Sequence, residues 1–538
     1  MTSFPGSASD GAQAACRRGE QLRNVGRWDE ALAAFDEVLA IKPDDRDALL
    51  GRSQTLFRMR RFAEALVCVR AMVEGSGDTS PEIWLEAAST LMVLNRLSEA
   101  RTALRNALRL APQSAGAWSS FGDVLAREGK DVAAEACLRR SANLDSLDPI
   151  VRLKLGQWMV QTARHEEAIG FFNDVRRLAP WIPDALSGLA QTFISQGRLD
   201  DAEPLLRQVL DVHGAHLDAR LGLARLLLLK GDYARGWPAY EWWRRRLDAK
   251  ISSFSAPEWD GAPIPGKTLL VHIEQGLGDA IQFLRFIPLL AARGIKVVLL
   301  IRPELTRLCH SLAGVAEICC DERSLPAFDF HIPLLSVPWR LQIDLDRLPA
   351  DVPYLSVIPT TKLPVPGGTR LKVGLVWAGE PTQGNDRLRS TTLEPLLSLA
   401  VIPGVTLYSL QVGSRAADLP ALAPPALVVD MAPRLKDLAD TADVIGQLDL
   451  VITVDTAVAH LAGALGKPVW VMLSFAPDWR WMLGREDMPW YPSMRLFRQT
   501  VPRQWDDVIA RVGADLADLA ASSKEPDPDP RADASASC

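Results

Sequence analysis

A chain of 538 residues is long enough for two to four domains, and its 48% hydrophobic and 23% charged residues exclude a largely disordered polymer. The 60 basic and 66 acidic residues leave a net charge of -6, so composition gives no support for nucleic-acid binding. The aromatic ranking is inverted, with 16 Trp against 15 Phe and 5 Tyr. The cysteines Cys16, Cys68, Cys137, Cys309, Cys319, Cys320 and Cys538 contain no CxxC pair. In a large core-forming chain such a scatter reads as reduced thiols, and a cytoplasmic protein is expected. The N-terminal segment MTSFPGSASDGAQAACRRGE has no basic start followed by an apolar run, so no signal peptide is expected. No stretch approaches the roughly 18 apolar residues of a membrane span.

The first half repeats itself. A small residue follows an acidic stretch at Ala31, Ala65, Ala100, Ala134, Ala168, Ala202 and Gly236, every 34 or 35 residues. An apolar residue stands four positions later, and Pro closes several units, as at Pro112 and Pro180. Two short amphipathic helices per unit explain the pattern: the small residue lets the second helix approach the first, and Pro cannot continue a helix. This pattern resembles the tetratricopeptide repeat, and the array is placed at 11–248. The resemblance implies a concave groove that holds a partner protein. No catalytic cluster is visible here, since His165, His213 and His216 stand alone. The last unit departs from the rest, with Trp237, Trp242 and Trp243 beside Arg244, Arg245 and Arg246. It reads either as a cap packed on the second half or as an anion or acceptor site.

A Ser-, Pro- and Gly-rich linker is expected at 249–268. From there the period changes. TLLVHIE (268–274) is a strand pattern, QGLGDAIQFLRFIPLLAARG (275–294) a Gly turn entering a helix, and IKVVLLIRP (295–303) the next strand. A second cycle holds strands at 371–379, 405–413, 448–455 and 467–473. Two α/β halves, 269–360 and 371–510, suggest two facing Rossmann-like domains. Ligands then bind at the carboxyl ends of the strands.

Three loops qualify. The first carries Gln275, Gly276, Gly278 and Asp279, where Asp279 also suits a helix N-terminus. The second carries Arg387 and Arg389 before Ser390 and Thr391, which read as an N-cap. Guanidinium groups beside a helix start favour phosphate, though pairing with Asp386 is the plainer alternative. The third carries Asp455, Thr456, Ala457 and His460, with Thr456 and His460 on one helix face. Gln411, just after the strand LYSLQ, is placed to touch a nucleotide or to be a solvated loop residue.

GLGD in the first half and DTAVAHLAGALGKPVW in the second resemble the glycosyltransferase family of the bacterial heptosyltransferases, over roughly 268–510. The resemblance implies the GT-B architecture, so the whole chain is expected to be multidomain, an all-α solenoid followed by an α/β GT-B fold. It implies that Asp279 is the base on an acceptor hydroxyl. It also implies that Asp455, Thr456, Ala457 and His460 hold the donor phosphates. The phosphate-side Lys of those enzymes is replaced here by Arg387 and Arg389, which leaves the nucleotide open. The layout as a whole looks like repeat-containing glycosyltransferases of bacteria, including flagellin glycosyltransferases.

The expected activity is therefore inverting, metal-independent transfer of a sugar from a nucleotide-sugar donor to a hydroxyl of a protein acceptor held by the repeats. No cofactor is expected. A non-catalytic adaptor with a degenerate transferase-like domain and a glycan or lipid-core glycosyltransferase remain as alternatives. DWRWMLGREDMPWYP (478–492) either stacks on the donor or packs the two halves together. A terminal amphipathic helix is expected at 504–520, and a disordered tail at 523–538.

Overall fold

The computed structural model describes residues 6–74, 80–246, 254–360, 362–381, 385–424 and 427–523. The start of the expected linker (249–253) and nearly all of the expected tail (524–538) lie outside these residues. Contacts divide the chain into two compact units, Met1–Met159 with Glu166–Ala185, and Val160–His165 with Leu186–Cys538. The division falls inside the repeats.

Fourteen α-helices run in chain order from α1 (Gly6–Asn24) to α14 (Tyr233–Tyr240) among the described residues. The 34-residue period has two physical causes. The first is close packing. Ala31, Ala65, Ala100, Ala134, Ala168 and Ala202 are all fully buried. A Cβ on Gly51 would run into the Phe35 ring, one on Gly122 would lie 2.8 Å from Leu138, and one on Gly156 2.7 Å from Phe172. The apolar residue four after the small one thus fills space left by a glycine on the neighbouring helix. The second cause is the turn within each unit. A left-handed residue stands at Gly26, Arg60, Asn95, Gly129, Ala163, Gly197 and Gly231, with φ between 57° and 81°. Glycine adopts this conformation freely, whereas Arg60 and Ala163 are strained in it.

The α/β part holds two all-parallel sheets. The first is β3-β2-β1-β4, from β1 (Thr268–His272), β2 (Lys296–Leu300), β3 (Val315–Cys319) and β4 (Phe330–Pro333). The second is β10-β9-β8-β5-β6-β7, from β5 (Leu371–Val376), β6 (Val405–Ser409), β7 (Val428–Asp430), β8 (Leu450–Val454), β9 (Val469–Leu473) and β10 (Met494–Arg498). Strands buried on both faces read as continuous apolar runs, as LVITV in β8 does. The helix expected over 275–294 is instead Leu277–Phe283, a 3-10 turn, and Ile287–Ala292. Pro288 lacks the N–H that would continue the first helix. The terminal helix spans Asp506–Ser522.

The last repeat shares its core with the α/β part. Tyr233, Trp237 and Trp243 join Phe283, Trp479 and Trp490 in one buried cluster. The Trp237 ring lies 5.9 Å from Phe283 and 5.4 Å from Trp479, both edge to face. Trp490 donates its indole N–H to the Tyr233 hydroxyl at 2.8 Å. Of the two readings of the Trp-rich segments, packing describes Trp237, Trp481 and Trp490, each at most 2% exposed.

Replacing Gly129 with Ala in its left-handed turn is expected to destabilise the repeats by about 1–2 kcal/mol, while Arg60→Gly leaves stability equal or higher. Urea unfolding followed by circular dichroism measures both, and a neutral Gly129→Ala would show that the turn conformation is not what sets the period.

Candidate functional site

The strand ends converge on a cleft of about 1140 Å³. Its lining follows β1 (Glu274–Asp279), β5 (Val376, Ala378, Gly379), β6 (Leu410–Gly413), β8 (Asp455–Val458) and β9 (Ser474–Arg480). A crevice at the carboxyl ends of parallel strands is the usual ligand site of such folds.

The first loop is held by its aspartate. Asp279 Oδ2 accepts the Gly276 N–H at 3.0 Å, which caps the helix Leu277–Phe283. Asp279 Oδ1 is ion-paired with Arg480. Gly276 has an ordinary φ of -69°, so it is not there to make a turn. A Cβ on it would lie 2.9 Å from the Asp279 carboxylate. Gly278 is needed for a different approach. A Cβ there would lie 3.1 Å from the His460 ring and 3.4 Å from the Ala457 Cα. The Gly-Asp loop is thereby seated on the start of the helix Ala457–Ala464. Gln275 also lines the cleft.

At that helix start Thr456 is the N-cap residue, but its side chain accepts no cap hydrogen bond. Its hydroxyl instead meets Thr453 Oγ1 at 3.0 Å. The first N–H groups of the helix are therefore uncapped by side chains and border the cleft, which suits an anion. Asp455 beside them is pushed up to about 6, chiefly by burial and against the nearby Arg389 charge. His460 is stacked on Trp481 at 5.3 Å and its Nδ1 lies 3.3 Å from the Tyr491 hydroxyl. Burial, with the charges of Arg480, Arg285 and Arg389, holds its pKa well below the ordinary value. His460 is thus a neutral ring at neutral pH.

The arginine segment differs from the sequence reading. Asp386–Arg389 is itself a four-residue helix and Ser390 ends it rather than starting the next, whose N-cap position is Thr392. Arg389 lines the cleft, with Nε 3.4 Å from Asp386, while Arg387 is absent from the lining. Residues two apart on a helix point in different directions, so one helix cannot aim both guanidinium groups at one phosphate. Gly379 admits this segment, since a Cβ would lie 2.5 Å from Asp386 and 2.6 Å from Arg389. Gln411 is corrected as well. It borders the cleft, yet it is 3% exposed and its amide is fully engaged. Its Oε1 accepts the Trp377 and Ala378 N–H groups at 3.1 and 3.0 Å, and its Nε2 donates to the Ala378 and Val412 carbonyls. It ties the ends of β5 and β6 together and is neither solvated nor free for a nucleotide.

Two residues escaped the sequence reading. Arg480 is 7% exposed and pairs with Asp279 and Asp478, and its Nε donates to Gln282 Oε1 at 2.9 Å. Burial opposes its charge, but the two carboxylates outweigh burial and raise its pKa. Its only signal was the density of Trp and Arg in 478–492. Glu274 lines the cleft and accepts the Leu334 and Leu335 N–H groups, and burial pushes it up to about 8.

Comparison with known proteins agrees with this layout. The tetratricopeptide-repeat family matches residues 23–88 and 193–236, and a second repeat family of that name matches 81–124. Glycosyltransferase family 9 (heptosyltransferase) matches residues 413–473, the stretch that includes β8 and the Asp455–His460 helix start. The chain carries tetratricopeptide repeats and a glycosyltransferase family 9 region. It is similar to Protein FlbA of Caulobacter vibrioides, at 28% identity over 93% of this chain and 83% of that protein. Anaphase-promoting complex subunit 7 of Mus musculus is 26% identical over 34% of this chain and 32% of its own length. Among solved structures, a thermophilic repeat protein of Thermus thermophilus aligns at 25% identity and a TM-score of 0.31, over 34% of this chain and 99% of its own. No helix among the described residues is long and apolar enough to cross a membrane.

Asp455 has its folded pKa raised, so its neutral form favours folding below about pH 4, and that contribution is lost as pH rises through 6. Asp455→Asn is therefore expected to be more stable than wild type at pH 7.5, by about 3 kcal/mol at most, and equal to it near pH 4. Thermal melts across this range check it, and a pH-independent difference would contradict the raised value.

Proposed function

We propose that this chain moves a sugar from a nucleotide-sugar donor to a hydroxyl of a protein acceptor recruited by the repeats, with inversion and without a metal or other cofactor. One observation carries the reading. Gly278 rests on Ala457 and His460, so the loop holding Asp279 and the uncapped helix start at Thr456 border the same cleft. A base and an anion site side by side are what this transfer requires.

In the reaction Asp279 takes the proton of the acceptor hydroxyl as its oxygen forms the bond to the anomeric carbon. The bond from that carbon to the donor phosphate breaks, and its electron pair leaves on the phosphate oxygen. Attack from the face opposite the leaving group inverts the centre. Arg480 fixes the carboxylate in position. Arg389 and the N–H groups after Thr456 meet the charge that grows on the leaving phosphate. His460, neutral and packed, supports the helix start. The family 9 region and the relationship to FlbA support a glycosyltransferase-like role in general. The resemblance to flagellin glycosyltransferases makes a flagellin the first acceptor to test, in a cytoplasmic setting.

The test incubates the full chain with a panel of nucleotide sugars and follows nucleotide release. Wild type is expected to turn over at least one donor, and Asp279→Asn to lose about 100-fold or more. Equal rates in the two proteins, or no nucleotide bound at millimolar concentration, would overturn the reading. In the second case an adaptor role takes its place.

A further inference from the structure

The turn that follows β4 is clasped from two sides. β4 runs beside β1 with Pro333 opposite His272, so the chain leaving β4 emerges next to the loop that carries Asp279. It forms a 3-10 turn, Leu334–Ser336, packed on the helix Leu277–Phe283. Glu274, just ahead of the loop, accepts the N–H groups of Leu334 and Leu335 at 3.1 and 2.9 Å, one on each oxygen. From the other side, Ser336 is fully buried and donates its hydroxyl to Glu241, whose Oε1 and Oε2 lie 2.8 and 3.0 Å away.

Glu241 belongs to the end of the repeats. It opens the 3-10 turn Glu241–Arg245, which directly continues the helix Tyr233–Tyr240. Its side chain is 14% exposed, and a carboxyl is a costly group with which to fill such a place, so what it holds carries weight. Two neighbours keep it in register with β4. Arg244 donates to both oxygens of Glu258 at 3.0 and 2.7 Å, and Glu258 bridges to His331 on β4. Trp237 donates its indole N–H to the Ile343 carbonyl at 2.9 Å. All of these residues belong to the second compact unit.

We infer that Glu241 is a positioning residue of the transfer site, through which the last repeat sets the Asp279 loop by way of Ser336, the turn Leu334–Ser336 and Glu274. The array then does more than recruit an acceptor, because its final unit completes the site. Transfer of the sugar to water, which needs no protein acceptor, depends on that unit as well. The catalytic consequence rests on the transferase reading above, while the hold on the loop is a property of the chain alone.

The test uses the full chain carrying Glu241→Ala, Glu241→Gln or Ser336→Ala. Hydrogen–deuterium exchange is read on peptides from 274–286. It is expected to be faster in Glu241→Ala and Ser336→Ala than in wild type. Glu241→Gln, which keeps an oxygen for the Ser336 hydroxyl, is expected to restore it. Peptides from β8 and β9 are expected to exchange as in wild type, which reports an intact fold. Nucleotide release from a donor that wild type turns over is then followed. The kcat of Glu241→Ala and of Ser336→Ala is expected to fall about tenfold with donor KM within about twofold, and the double variant to fall no further than either alone. In an Asp279→Asn background Glu241→Ala is expected to cost nothing more, whereas a general loosening would cost the same in both. Unchanged exchange at 274–286, equal turnover by Glu241→Ala, or a loss that Glu241→Gln does not restore overturns the inference. No turnover by wild type, with exchange as expected, sinks the transferase reading and upholds the hold on the loop.

Discussion

The hydrogen bond from Trp490 to Tyr233 joins groups 257 residues apart and ties the last repeat to the α/β part. Around it, Trp237, Trp479, Phe283 and Phe286 meet at ring distances of 5.4 to 6.4 Å, mostly edge to face. Each such pair adds about 0.5–1.5 kcal/mol beyond the area it buries. The excess of tryptophan in the composition is concentrated here. A large flat ring with one N–H donor can fill a wide seam and still be anchored at a defined point, which a run of leucines cannot do.

The same segment that supplies Trp479, Trp481 and Trp490 carries Arg480, so the packing of the core and the position of the candidate base are set together. Arg480 spans Asp279, Asp478 and Gln282, two of them 198 and 201 residues away in the chain. Arg285 does similar work deeper down. It lies 4.3 Å over the Tyr491 ring and donates to the carbonyls of Gln282, Pro349 and Trp490. Two buried arginines, each bound to carbonyls or carboxylates from several elements, hold loops that no strand pairing could fix.

Legibility in the sequence followed the range of the interactions. The repeats were readable because the rule is local and recurs seven times. The strands β1, β2, β5, β6, β8 and β9 announced themselves as apolar runs. The strand β3 did not, because Ala316 and Glu317 on it are exposed, and β7 is only three residues long. Gly278, Asp279, Asp455, Thr456 and His460 were found as motif residues, and the structure brings them to one cleft. Arg387, Gln411 and Arg480 depend on side-chain direction and on partners distant in the chain. The sequence around Gln411 looks the same whether its amide faces solvent or four backbone groups.

The boundary between the compact units has an evolutionary meaning. It falls between Met159 and Leu186, well before the repeats end. The helices ahead of it answer only to the repeat rule, an alanine, a facing glycine and a left-handed turn. Such units can be duplicated, lost or exchanged without touching the residues around the cleft. Of the helices after it, the last two, Leu217–Leu229 and Tyr233–Tyr240, share the buried cluster of the α/β part and are expected to be inherited with it. Relatives that differ in what they recognise are therefore expected to differ in number and sequence of early repeats, while the final two remain matched to the domain they adjoin.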